Sequence, residues 1–315
     1  MKISSSSSDF KSTKEFQFLI NDMEMIDTVL DIISNNATDF SHYTIIDKTP
    51  HYLYATSIVS ANNTLQSIRF CASKGYMGDA FMLARKLRDT LFQYLFMLET
   101  LENKPSVEDD SIETKDLLCS DPEAFITYVE KMWNIMLNSS KSDQALAVDA
   151  WLTNELSDEE HKKVRKEFFD ASKYYKLLMQ NESVKDCFEK YLNTYIDDQD
   201  RILNNYTHIN GITFHQANLP QYVWDKRKEL YKELQIVLIG IITSFLACIV
   251  LIAPSIITSS DYVEALEMQA QPKEDSQYWI ASGIQEYMDT YFPKVAPDFK
   301  KFLRDNNKYG MKIKI

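Results

Sequence analysis

The segment RILNNYTHING at residues 201–211 holds the side chains of this sequence that are best suited to chemistry on a phosphate group. Arg201, Asn204, Asn205 and His208 share one face of a helix that has about 3.6 residues per turn. Arginine carries a fixed positive charge that fits a phosphate, and histidine exchanges protons near neutral pH. The spacing indicates a site that binds phosphate and moves protons, but a hydrogen-bonded structural face has the same pattern.

Apolar residues at helical spacing predict the elements that must position this segment. We predict helices over 16–34, 51–73, 78–102, 159–179, 220–257, 272–291 and 297–306, with a loop at 35–50. The helices at 51–73 and 78–102 form an antiparallel hairpin around the KGYMGD turn. Capping boxes at Ser157–Glu160 and Ser183–Asp186 mark two helix starts. Apart from MKIKI at the C-terminus nothing is typical of a strand, so the predicted fold is an all-α helical bundle.

Two stretches of the chain resemble the HEPN superfamily, whose motif is Arg, four to six residues, and His, often with Asn after the Arg. Here six residues separate Arg201 from His208, and Ile202 stands where that Asn would be. The segment LNNYTHING is similar to the motif of a divergent branch of the superfamily, which keeps an Asn or Ser, a Tyr and His-x-Gly. The stretch GYMGDAFMLARKLRDTLFQYLF at 75–96 is similar to the second core helix of such proteins. SSDYVEALE and SQYWIASGIQEYMD also resemble this branch, so the resemblance spans roughly 50–290.

The resemblance implies a metal-independent endoribonuclease without a cofactor. It would act on single-stranded RNA as a homodimer or higher homo-oligomer, with two motif helices meeting across a cleft. His208 would transfer protons, Arg201 would stabilise charge on the phosphate, and Asn205 would orient either His208 or the phosphate. The supporting residues would be Arg85, Asp89, Asn204 and Tyr206. Many such proteins are bacterial toxins or antiviral defence effectors, and that role is implied as well.

Composition limits the classes of function. The chain has 34 basic and 46 acidic residues and a net charge of −12, which disfavours extensive binding to duplex nucleic acid. Its four scattered cysteines indicate neither a disulfide framework nor a zinc site. Six glycines and no glycine-rich phosphate loop exclude a P-loop or dinucleotide-binding fold. We expect residues 1–14 to be disordered and, because they contain no apolar signal, the protein to be cytoplasmic.

A basic and aromatic helix at 159–179 has two interpretations. Its basic residues could bind RNA phosphates while aromatic rings stack on unpaired bases. Alternatively, it is an amphipathic helix with a solvated basic face and an aromatic core face, which is the commoner case. The basic residues predicted to bind RNA are Lys162, Lys163, Arg165 and Lys166, and the aromatic ones are Phe168, Phe169, Tyr174 and Tyr175.

The 22 residues at 236–257 contain no charge and are long enough to cross a membrane. They also lie where a HEPN bundle needs its most buried helix. The sequence leaves both alternatives open, and with them a catalytically inactive, membrane-associated or pore-forming accessory protein, or a soluble all-α partner-binding scaffold. We predict a bundle at 15–260 with an acidic insertion around 104–120, followed by a helical extension at 261–315.

Overall fold

A computed structural model of the chain describes residues 9–43, 52–102, 157–159, 162, 171–207, 212–259, 268, 280–307, 311, 313 and 314. The helices are α1 (Lys14–Tyr43), α2 (Tyr52–Lys74), α3 (Met77–Glu102), α4 (Ala171–Leu178), α5 (Glu182–Cys187), α6 (Asn193–Thr207), α7 (Ile212–Gln216), α8 (Pro220–Ile252), α9 (Ser282–Val295) and α10 (Phe299–Asn306). The described residues form no strand, and an isolated antiparallel bridge joins Thr258 to Ile280. The predicted all-α class is confirmed. The acidic insertion around 104–120 lies outside the described residues.

The hairpin of α2 and α3 agrees with its predicted limits to within one residue. Gly75 makes the turn with a φ of 76°, a left-handed conformation that glycine adopts without steric cost. A Cβ atom at this position would lie 2.6 Å from the ring of Phe10. Phe10 belongs to a 3-10 turn, Phe10–Ser12, and is buried, so the predicted N-terminal disorder does not extend to the residues from Asp9 onward.

Helix α1 is longer than predicted, because it continues through residues 35–43, which the sequence indicated as loop. Ile33 and Ala37 are buried and keep the helical spacing of the core face. Asn36 also has a tertiary role: its Nδ2 donates to the carbonyl oxygens of Ile256 (2.8 Å) and Thr258 (3.0 Å). The polar residues at 35–43, which indicated a loop, thus belong to a helix, and Asn36 of that helix binds a distant segment.

Helix α8 is the centre of the bundle and contacts α1, α3, α6 and α9. Every residue from 240 to 252 is buried. Within the described chain, α8 is long and apolar enough to cross a membrane, but 83% of its most apolar 18-residue window is buried by the other helices. This burial is typical of a central core helix, whose composition resembles that of a membrane span.

The predicted end of the helix at residue 257 is wrong, because α8 ends at Ile252. Pro254 follows two residues later and starts the 3-10 turn Pro254–Ile257. Proline disfavours the helical conformation of the residue before it, and Ala253 leaves the helix with a φ of −141°. The break lets Ile256 and Thr258 present their carbonyl oxygens to Asn36.

The C-terminal helices share the core of the bundle. In α9, the buried Tyr287 donates its hydroxyl to the carbonyl oxygen of Ile239 in α8 (3.0 Å), and Tyr291 donates to Asp22 of α1. Ile284, Tyr287 and Phe292 are fully buried. Residues 280–307 are therefore an integral part of the bundle, whereas the sequence suggested an extension added to it.

Candidate functional site

Helix α6, which carries Arg201, is the last part of a continuous helical run from Glu182 to Thr207. Its N-cap is Asn181, whose Oδ1 accepts from the backbone N–H of Val184 (3.2 Å). The prediction that Ser183 opens this helix is wrong, because Asn181 occupies the capping position. A π turn at Phe188–Leu192 then inserts one extra residue per turn, and both of its end residues are buried. This turn shifts the faces of α6 relative to those of α5.

One face of α6 is buried against α3 and α8. Gln199, Ile202, Leu203 and Tyr206 are all buried. The Tyr206 ring stacks on Phe81 of α3, with 4.1 Å between the ring centroids and 8° between the planes. Ile202, the residue that departs from the usual HEPN motif, is among the buried ones and is 3% exposed. In this chain the position after Arg201 therefore belongs to the core.

The other face of α6 is open to solvent and carries Arg201, Asn204 and Asn205. The predicted common face is confirmed for these three residues, whereas His208 lies outside the described residues. The Arg201 Nη2 atom lies 3.3 Å from Asp198 Oδ1, and the two side chains are 69% and 56% exposed. Ion pairs this exposed are weak, typically about 0–1 kcal/mol. Asp198 therefore leaves the Arg201 guanidinium available to a stronger acceptor.

A network of alternating charges links α3 to α6 beside this face. Arg85 Nε lies 3.8 Å from Asp89 Oδ2. Arg88 donates Nε and Nη2 to Asp89 Oδ1 at 3.2 and 3.1 Å, and its Nη1 donates to Asp200 of α6. Arg88 thus links the predicted residues Asp89 and Arg85 to the helix that carries the motif. Sequence analysis missed Arg88 and Asp200, whose separation of 112 positions hides their pairing.

Glu233 of α8 is a third residue that the sequence did not single out. Its Oε2 lies 3.5 Å from the Tyr206 hydroxyl, which donates to it. Burial, and then the nearby Glu229 charge, raise the pKa of Glu233, while Tyr206 and Arg201 act in the opposite direction. Burial also raises the pKa of Tyr206, so its hydroxyl keeps its proton at neutral pH. Helix α8 therefore places a carboxyl group with an elevated pKa below the exposed face.

We expect Glu233→Gln to stabilise the protein at neutral pH. The pKa of Glu233 is raised on folding above its ordinary value of 4.5, so the stability it contributes is present below that pH. This contribution is lost as the pH rises through the folded pKa, since the unfolded chain ionises more readily. Urea denaturation at pH 4 and pH 7 should show the variant gaining stability over the wild type only at pH 7. Glu286→Gln, at an exposed position of α9, is the control and should give no such difference; an equal gain there would contradict the assignment.

The predicted RNA-binding helix is described only in part. Lys162 is exposed, while Lys163, Arg165, Lys166, Phe168 and Phe169 lie outside the described residues. Tyr174 is buried and stacks on Phe96 at 5.5 Å between centroids, and Tyr175 meets Phe188 edge-on at 5.4 Å. Tyr174 is thus buried in the bundle and Tyr175 is partly buried against it, as the amphipathic interpretation predicts.

Among the described residues, no group of three or more His, Cys, Asp or Glu side chains is arranged to hold a metal ion. Comparison with known proteins gives no family model, no curated protein and no solved structure that matches this chain. The likeness to the HEPN superfamily thus depends on the short motifs alone. Any function assigned to the face of α6 therefore rests on the side chains and contacts described above.

Proposed function

We propose that this protein is a metal-independent endoribonuclease that cleaves single-stranded RNA at the exposed face of α6. The observation that carries the proposal is the placement of Arg201, Asn204 and Asn205 on one open face of a helix that Arg88 connects to the α3 residues Asp89 and Arg85. These residues come from two separate motifs, and folding brings their helices into contact. The implied biological role is that of a toxin or antiviral effector in the cytoplasm.

The proposed reaction is attack of a ribose 2′-oxygen on the adjacent phosphorus. A new P–O2′ bond forms and the P–O5′ bond breaks, which leaves a 2′,3′-cyclic phosphate and a 5′-hydroxyl end. The attacking 2′-hydroxyl loses a proton and the leaving 5′-oxygen gains one; His208 carries out one of these two transfers and water carries out the other. Arg201 binds the non-bridging oxygens as negative charge builds on them, and Asn205 orients the phosphate or the imidazole.

The electrostatic surroundings favour a small contact with flexible RNA over a long duplex interface. Asp198 and Glu233 lie near Arg201 and partly offset its charge. The exposed pair of Arg201 and Asp198 is worth only about 0–1 kcal/mol and uses one contact, so a phosphate that accepts two parallel hydrogen bonds from the guanidinium can displace Asp198. A homodimer would bring a second copy of the same face to the substrate and so increase the positive charge at the cleft.

The test is cleavage of a single-stranded RNA oligonucleotide by the purified protein in the presence of EDTA. We expect fragments that end in a 2′,3′-cyclic phosphate. The same oligonucleotide with 2′-O-methyl groups, and the equivalent DNA, should stay intact because neither offers a free 2′-hydroxyl. Cleavage of the 2′-O-methyl RNA would contradict the mechanism, and no cleavage of any RNA, alone or in infected cells, would remove the proposed activity.

A second candidate is a catalytically inactive, partner-binding scaffold. It is favoured by the carboxylates that already engage the site: Asp198 contacts Arg201, and Asp89 contacts both Arg85 and Arg88. In that case the wild type would leave RNA intact, and Arg201→Glu would weaken self-association measured by sedimentation. A membrane-associated or pore-forming form would need α8 to leave the bundle, and the burial of that helix does not favour it.

A further inference from the structure

The alternating series Arg85, Asp89, Arg88 and Asp200 crosses from α3 to α6 and ends one residue before Arg201. We propose that Arg88 is a positioning residue for the exposed face of α6, and that it acts through Asp200. The proposal deepens the endoribonuclease assignment and rests on it for its catalytic consequence. Its structural part, that Arg88 prevents α6 from rotating about its own axis, can be measured separately.

Asp200 and Arg201 are neighbours in α6, so the direction of one side chain fixes the direction of the other. Consecutive residues of an α-helix point about 100° apart. With Asp200 held against α3 by Arg88, Arg201 is turned to solvent, where it is exposed. A small rotation of α6 towards or away from α3 would therefore move the guanidinium across the proposed cleft.

The side of α6 that faces α8 is held by close packing. Gln199 is 2% exposed, and its side chain occupies the space that a Cβ atom at Gly240 of α8 would need. The Gln199 Nε2 atom is buried without a hydrogen-bond partner, so this contact provides close packing and no polar bond from that amide nitrogen. The helix is thus fixed by packing on α8, and on α3 by the stacking of Tyr206 on Phe81 and by the ion pair of Arg88 and Asp200.

The geometry of the ion pair requires an arginine. Arg88 directs Nε and Nη2 at Asp89 and Nη1 at Asp200, so one planar group joins two carboxylates on two helices. A lysine has a single ammonium group and cannot reproduce this fork. The Arg88 side chain is 17% exposed, so this pair is better shielded from solvent than the pair of Arg201 and Asp198. Asp89, predicted to support the cleft together with Arg85, contacts both Arg85 and Arg88 and so aligns these two arginines.

The test compares Arg88→Gln, Arg88→Lys, Asp200→Asn and the double variant Arg88→Gln/Asp200→Asn. Arg69→Gln is the matched control, because Arg69 pairs with Glu24 across α1 and α2 at 3.7 Å, away from the site. We expect Arg88→Gln to lower kcat about tenfold or more while KM changes little, since misplaced groups slow the chemical step most. Arg88→Lys should restore only part of the rate. The double variant should be no worse than the worse single variant, because both changes break one link.

Hydrogen exchange measures the structural part. The amides of α6 should exchange faster in Arg88→Gln and Asp200→Asn, and at the wild-type rate in Arg69→Gln. Unchanged α6 exchange in both site variants, additive losses in the double variant, or full activity in Arg88→Lys would each overturn the proposal. Should Arg88→Gln fail to fold, Asp200→Asn gives the same reading with both arginines in place. A wild type that cuts no RNA removes the nuclease assignment, and the exchange data then decide the positioning role alone.

Discussion

Leu246→Asp should prevent the chain from folding. Leu246 is fully buried in α8, the helix that contacts most of the bundle. A carboxylate there would have no partner among apolar neighbours, and the lost leucine side chain would leave unfilled space. Together these effects cost on the order of 5 kcal/mol or more, which is comparable to the whole free energy of unfolding of a typical domain, about 5–15 kcal/mol. We expect circular dichroism and gel filtration to show an unfolded or aggregated chain.

Ile236→Asp is the matched control, since it places the same charge on the same helix. Ile236 is 39% exposed, so its carboxylate would stay hydrated and the fold should survive. The comparison also separates a core helix from a membrane span. Equal folding of both variants, or a protein released from cells only by detergent, would contradict the core assignment of α8.

The sequence predicts the bundle well where apolar spacing and a strong turn signal agree. The α2–α3 hairpin shows this: its helices have clear core faces, and Gly75 supplies the one left-handed residue the turn needs. The end of α1 was predicted wrongly because Asn35 and Asn36 are typical of loops. Asn36 is accommodated in the helix by hydrogen bonds to residues that lie more than 200 positions away, and local patterns carry no information about them.

In the candidate site, too, local sequence patterns predict one part, and contacts between distant residues determine the rest. The helical period alone places Arg201, Asn204 and Asn205 on one face, and they are all exposed. The orientation of that face in the bundle depends on the π turn at Phe188–Leu192 and on the pairing of Arg88 with Asp200. Neither follows from periodicity: the π turn changes the period, and the pairing joins two separate helices. Ile202 likewise departs from the motif for a reason visible only in three dimensions, its burial in the core.

Arg201→Ala should lower kcat/KM for single-stranded RNA by about 10²–10³-fold, the usual effect of removing a group that stabilises transition-state charge. Its side chain is 69% exposed and pairs only weakly with Asp198, so the unfolding midpoint should stay within error of the wild type. Arg201→Lys should retain a fraction of the rate, because a point charge lacks the planar fork. Arg69→Ala, which removes an arginine from a distant exposed pair, should cut RNA normally.

His208→Ala should cost at least as much, about 10²–10⁴-fold, because it removes the proposed proton carrier. The double variant Arg201→Ala/His208→Ala should be little worse than either single variant, since the effects of removing two groups that act in one step are not additive.

Mixing the two inactive single variants, Arg201→Ala and His208→Ala, tests whether the cleft is formed by two protomers. If the cleft combines side chains from two protomers, a mixed dimer keeps one Arg201 and one His208 and recovers part of the activity. A mixture that stays inactive would place both groups in one protomer, and full cutting by either single variant would exclude them from the chemistry.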